Sequence, residues 1–137
     1  MMTLLCDHPR CRGMFVTIQR EVADRLMAGP GSRDYGPISV VAQALAEVRR
    51  VASLPPECFW PRPEVHSAMV AVRRLERPMT DEARRLSAFC ARAFGQRRKQ
   101  LGSILGKAVA WPEGITPQNR IEELSVERVV ALARAAG

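Results

Sequence analysis

The sequence predicts an α/β chain that becomes all-helical in its second half. Three short runs rich in apolar and β-branched residues, Met14–Ile18, Glu47–Ala52 and His66–Arg74, read as strands. Between the first two, apolar residues recur at helical spacing, so helices join them. Beyond Glu76-Arg-Pro-Met-Thr80 only helical spacing remains. The expected division is therefore 1–77, mixed, and 78–137, helical.

Met14-Phe-Val-Thr-Ile18 is apolar on both faces, which suits a buried, parallel strand. A helix follows from Gln19 or Arg20, with Val22, Ala23 and Leu26 inward, Glu21 and Arg25 paired, and Gly29-Pro-Gly31 as its stop. Ser39 is placed to cap a short helix carrying Val40, Val41, Ala44 and Leu45. The strands at Glu47–Ala52 and His66–Arg74 suit an antiparallel pair. In the tail, Thr80 reads as an N-cap with Asp81 and Glu82 in the first turn. Leu86, Phe89, Cys90, Ala93 and Phe94 form a core stripe that Gly95 ends. A helix from Gln96 would turn Leu101, Ile104 and Leu105 inward. Thr116-Pro117 reads as a cap and first helical position, and Ser125 caps the last helix.

With 137 residues and 47% apolar content, the chain can bury a real core. No apolar run approaches the roughly 20 residues of a membrane span. Asp7, His8 and Pro9 stand where a signal peptide needs its apolar stretch, so the expected location is the cytoplasm. The net charge of +7 points to an anionic partner, nucleic acid being the commonest. All but Lys99 and Lys107 of the 21 basic residues are Arg. That skew fits codon composition as well as phosphate binding, so position must decide. Cys6-x-His8-x-x-Cys11 is half a zinc pattern, but Cys58 and Cys90 stand alone. The expectation is free thiols and no metal.

Two stretches could carry function. Leu54-Pro-Pro-Glu-Cys-Phe-Trp-Pro-Arg-Pro63 holds four of the ten prolines and the only adjacent aromatic pair. Proline fixes its own φ and pushes the preceding residue to extended geometry, so this is a stiff loop presenting Phe59 and Trp60. The loop alone leaves two readings open: both rings plug a core, or they bind a ligand. The second stretch is the basic cluster Arg92, Arg97, Arg98, Lys99 and Lys107. A solvated face would explain it. A helix N-terminus at Gln96, with free N–H donors, would favour nucleic acid. Charge with aromatic stacking is how unpaired bases are held.

Val16-Thr-Ile-Gln-Arg-Glu-Val-Ala-Asp-Arg-Leu26, Pro30-Gly-Ser-x-x-Tyr-Gly-x-x-Ser39, Pro55-Pro-x-x-Phe-x-Pro-x-Pro-x-Val-x-Ser-Ala68 and Phe94-x-Gln-Arg-Arg-Lys-x-Leu101 occur in that order. Together they resemble the C-terminal half of the small-subunit ribosomal RNA adenine dimethyltransferases, relatives of the erythromycin-resistance rRNA methylases and mitochondrial transcription factor B. The likeness runs from about Met14 to Ala135, and its last two motifs are the specific ones. His66 departs from the small acidic or amide residue usual there.

The resemblance implies the end of a Rossmann-like S-adenosylmethionine methyltransferase sheet. Its strands 5-7-6 would be Met14–Ile18, His66–Arg74 and Glu47–Ala52, followed by a small all-α domain contacting rRNA. It also implies transfer of two methyl groups to N6 of each of two adjacent adenosines. Phe59 would stack on the target adenine, with Trp60 packed beneath the loop. Arg62, Arg92, Arg97, Arg98 and Lys99 would contact RNA of the immature small subunit. The family's Gly-x-Gly-x-Gly cofactor loop and its Asn-Leu-Pro-Tyr catalytic motif have no match, and the sole Asn is Asn119. No catalytic residue is therefore assigned, and the chain alone is expected neither to bind S-adenosylmethionine nor to transfer methyl groups. Strand 5 would leave an open edge for an N-terminal half or for self-association. The alternative is a non-catalytic rRNA-binding or ribosome-assembly module. A generic basic DNA-binding helical module would have no use for the proline loop and its strands.

Overall fold

A computed structural model describes all residues, Met1–Gly137. Its elements are α1 (Met2–Asp7), β1 (Gly13–Gln19), α2 (Arg20–Met27), α3 (Pro37–Leu45), β2 (Ala46–Leu54), β3 (Ser67–Arg74), α4 (Ala83–Phe94), α5 (Leu101–Leu105) and α6 (Val126–Ala135). Single 3₁₀ turns lie at Pro56–Cys58 and Ile121–Glu123.

The three strands form one sheet in the order β1–β3–β2, antiparallel throughout. Alternation along β3 sends Ala68, Val70 and Val72 into the core. Burying a valine side chain contributes about 1.5–3 kcal/mol, so this strand anchors the sheet. Directly opposite lie Ile18, Val16 and Met14 of β1, half-buried on the same face. Phe15, Thr17, Met69, Ala71 and Arg73 share the other face, which no helix covers; Phe15 is 75% exposed. β1 is thus neither parallel nor buried on both sides, contrary to its apolar composition, because nothing packs on its second face.

The two sheet edges differ. β2 carries Glu47, Arg49 and Arg50 and a register shift at Val51. Charges and bulges of this kind discourage pairing with another chain. The outer edge of β1 has no charge, proline or bulge between Gly13 and Gln19.

The helices cover one face of the sheet. Ala23 and Leu26 of α2, Val40, Val41, Ala44 and Leu45 of α3, and the predicted α4 stripe are all buried. All of these but Leu26 belong to a single hydrophobic cluster that also takes Leu101, Ile121, Val129 and Leu132. The core therefore runs through both segments of the expected division. Burial pushes the Cys90 thiol within it up to about 12.

Helix α1 has no signal in the periodicity. It is held from outside. Arg74 donates to the carbonyl oxygens of Leu5 (2.6 Å), Cys11 (3.0 Å) and His8 (3.2 Å), satisfying acceptors a helix end leaves free. Arg84 binds Asp7 with two bonds of 2.7 Å.

Several local expectations shift. Helix α3 begins at Pro37, so Ser39 sits in its first turn, where its hydroxyl accepts from Gly36 N–H (3.1 Å) and donates to the Arg25 carbonyl. Glu21 and Arg25 do not pair; Asp24 instead binds Arg50 across from β2. Thr80 Oγ1 accepts from Glu82 N–H (3.1 Å), and α4 starts after that turn, leaving Asp81 and Glu82 outside it. Thr116-Pro117 opens a turn, not a helix: Asn119 Oδ1 accepts from Thr116 N–H (2.8 Å) and its hydroxyl (3.1 Å), but the Pro117 and Asn119 carbonyls that a helix would use accept instead from Gly102 and Leu101 N–H (both 2.8 Å). Ser125 does cap α6, accepting from Arg128 N–H at 3.4 Å.

Candidate nucleic-acid interface

The proline loop spans the end of the β2–β3 pair, closed by the partners Leu54 and Ser67. Its first part is a 3₁₀ turn, with Cys58 N–H and Phe59 N–H donating to the Pro55 and Pro56 carbonyls at 3.0 and 3.2 Å. Pro56 fills the buried position beneath. Phe59 is half-buried and Trp60 is 96% exposed. The Trp60–Pro61 peptide is cis. Trp60 therefore does not pack under the loop as expected: Pro56 is the buried residue of the loop, and the indole stands in water. Arg62 folds back onto Glu57 within the loop. The far end is fixed where Arg20 N–H donates to the His66 carbonyl at 3.0 Å, setting it against the first turn of α2.

The basic stretch is a turn, not a helix start. Gln96 and Arg97 donate their N–H groups to the Ala93 and Phe94 carbonyls at 3.2 Å, and Lys99 donates to Gln96 at 2.8 Å. Helix α5 begins only at Leu101, whose N–H goes to Asn119, and the next, from Gly102, to Pro117 (both 2.8 Å). The free donors expected at Gln96 are thus consumed. Arg92 and Arg98 are exposed with no ion pair. Lys99 Nζ reaches only Gln96 Oε1, at 3.0 Å. Arg97 is half-buried and bound to Glu122.

Two concavities lie beside these regions. One is lined by Gln19, Arg20, Glu21, Glu64, Val65 and His66. The other lies between α2 and the loop before α3, with Arg25, Arg33, Asp34 and Arg97 among its lining residues. Both include Glu21. Arg20, Arg25 and Arg33 are exposed along this path without carboxylate partners. None of the three is among the site residues expected from the sequence. Arg33 has a usable signal, sitting in the Pro30-Gly-Ser-Arg-Asp-Tyr-Gly loop; Arg20 and Arg25 look like ordinary helix-surface charges.

The residues do not fit an S-adenosylmethionine site. β1 passes straight into α2 at Gln19–Arg20 with no glycine loop between them. Gly31, at φ 79°, has its N–H bound to the Glu122 carbonyl at 2.8 Å. Asn119 is occupied in its turn with Thr116. No three His, Cys, Asp or Glu side chains gather as metal ligands, and the four cysteines are unpaired.

The family model described as ribosomal RNA adenine dimethylase matches residues 1–136. The chain belongs to this family. It is 42% identical over 133 residues to the ribosomal RNA small subunit methyltransferase A of Cereibacter sphaeroides, covering 92% of this chain and 48% of that protein. To its counterpart in Streptomyces coelicolor it is 39% identical over 144 residues, covering 97% and 50%. The chain thus spans about half the length of the curated relatives it matches. Among solved structures, a dimethyladenosine transferase from Plasmodium falciparum superposes with a TM-score of 0.80 at 17% identity, over 95% of this chain and 58% of that one. The 23S rRNA methyltransferase ErmE gives 0.65 at 19% identity, over 96% and 57%. These structures share the α/β fold.

Because Trp60 touches almost nothing, replacing it by Ala should change unfolding free energy in urea by no more than about 0.5 kcal/mol. A loss of about 2 kcal/mol or more would show that the ring is a core plug after all.

Proposed function

We propose that this chain is the C-terminal, RNA-contacting portion of a small-subunit rRNA adenine N6,N6-dimethyltransferase. Its strands β1, β3 and β2 correspond to strands 5, 7 and 6 of the methyltransferase sheet. Residues 1–77 are the end of the catalytic domain, and 78–137 the helical rRNA-contacting part. The observation that carries this reading is the stiff loop holding Phe59 and fully projecting Trp60 at the sheet end that leads to a row of unpaired guanidinium groups.

Phe59 offers a face to an extruded adenine, and Trp60 adds a second aromatic surface beside it. A base taken out of its stack loses neighbours on both faces, and an aromatic ring restores one of them. Each such stack contributes roughly 1–3 kcal/mol. Arg92, Arg98 and Lys99 contact phosphates, and Arg62 does so from within the aromatic loop. The groups that would aim an adenine amine at a methyl donor are not among these residues, so the chain supplies binding and orientation only. The misfit to S-adenosylmethionine also favours a second reading, a non-catalytic rRNA-binding or assembly module in the cytoplasm. Methyl transfer on supplying the cofactor-binding half of a relative in trans separates the two.

Affinity for a small-subunit rRNA transcript should fall steeply with salt. Neutralising Arg98 and Lys99 together should reduce the slope of log K against log salt by about 0.7 for each phosphate no longer neutralised. An unchanged slope would make the cluster a solvated face. Titration calorimetry of the isolated chain with S-adenosylmethionine should give no heat of binding, and micromolar affinity would overturn that assignment. The unguarded edge of β1 should pair, with an N-terminal half or with another copy. Light scattering at high protein concentration should therefore show association that Thr17→Lys, on the uncovered face, abolishes; a monodisperse parent chain would count against it.

A further inference from the structure

The three consecutive cations Arg97, Arg98 and Lys99 do not share one role. Arg98 and Lys99 point outward, whereas every nitrogen of the Arg97 guanidinium is engaged within the chain. Nε donates to Glu122 Oε2 at 2.7 Å, Nη1 to the Arg33 carbonyl at 3.1 Å, and Nη2 to the Ser32 carbonyl at 3.4 Å and to Glu122 at 2.5 Å. The side chains of Arg97 and Glu122 are 34% and 25% exposed, so the pair is partly withdrawn from water. The planar fork reaches a carboxylate and two carbonyls from three separate nitrogens; a lysine ammonium offers its donors from a single point.

Two further ties join the same segments. Gly31 N–H donates to the Glu122 carbonyl at 2.8 Å, in a left-handed conformation that glycine adopts without strain. Tyr35 donates its hydroxyl to the Leu124 carbonyl at 2.9 Å and sets its ring edge-on against Phe94, 5.7 Å between centroids. The loop between α2 and α3 is thus bolted to the turns that follow α4 and precede α6.

We propose that Arg97 is a positioning residue. It fixes the turn bearing Arg98 and Lys99 against the α2–α3 loop, and through α2 relative to the sheet end bearing Phe59 and Trp60, and does not itself contact phosphate. This rests on the RNA-binding reading above. An RNA engaging both regions binds more tightly when their spacing is set beforehand, because no ordering then opposes binding.

The test uses the 137-residue chain, a small-subunit rRNA transcript, and affinity measured across a salt series. Glu122→Ala adds one positive charge and frees Arg97. Were Arg97 a phosphate ligand, this variant would bind more tightly and with a steeper salt slope. The clamp requires weaker binding, roughly 3- to 30-fold, with the slope unchanged. Arg97→Lys keeps the charge but loses the fork, and it should weaken binding likewise. Arg98→Ala should instead lower the slope. Tighter binding by Glu122→Ala, or parental affinity in Arg97→Lys, overturns the proposal.

Amide hydrogen exchange provides an arm independent of RNA. In Arg97→Lys, the mildest change, exchange at Gly31 to Tyr35 should accelerate while β3 stays protected. Unchanged exchange there overturns the clamp even if the parent chain fails to bind RNA, an outcome that would sink the RNA-binding reading separately.

Discussion

Strand β3 is the one element that the remainder cannot do without. It alone has hydrogen-bonded neighbours on both sides, and its Val70 and Val72 side chains reach the centre of the core. Both other strands hang from it. The end of β1 determines where α2 starts, and the end of β2 determines where the proline loop leaves the sheet. At the opposite end, Arg74 closes the strand by gathering the carbonyls of the first helix and the segment after it. The placement of the aromatic pair is therefore a consequence of apolar burial one layer away.

The chain shows how a family can be legible while the site is only partly so. The strands, the α4 stripe and the Ser125 cap are readable because each is a local pattern with a fixed period or a fixed position. What does not show is anything decided by a distant partner. Nothing near Met2–Asp7 announces that Arg74 and Arg84 will hold it as a helix. Apolar composition suggests two covered faces for β1, but coverage depends on what else lies above the sheet. Thr116-Pro117 has the look of a helix start, yet the carbonyls it would need are taken by the first amides of α5.

Charge is the least legible property. A count of basic residues treats Arg97, Arg98 and Lys99 as equivalent, and so does a motif. Geometry separates them, because a guanidinium that meets a half-buried carboxylate and two carbonyls has little left to offer a ligand. The converse holds for Arg20, Arg25 and Arg33, which belong to no cluster in the sequence and converge only through the packing of α2 against the loop before α3. Aromatics behave similarly. Phe59 and Trp60 are adjacent, yet the buried residue of their loop is Pro56, and the larger ring is the one left outside.

The aromatic loop is closed by strands that are neighbours in the sequence, Leu54 lying opposite Ser67. The basic turn is held by partners far along the chain, with Arg97 reaching back to Ser32 and forward to Glu122. The shorter closure costs less entropy, whereas the distant ones also need the segments around Ser32 and Glu122 in place. The aromatic loop and the basic turn consequently differ in robustness. The aromatic loop keeps its shape for as long as the β2–β3 ladder beneath it holds. The orientation of the cations is a collective property, and drift anywhere in the core is felt there first.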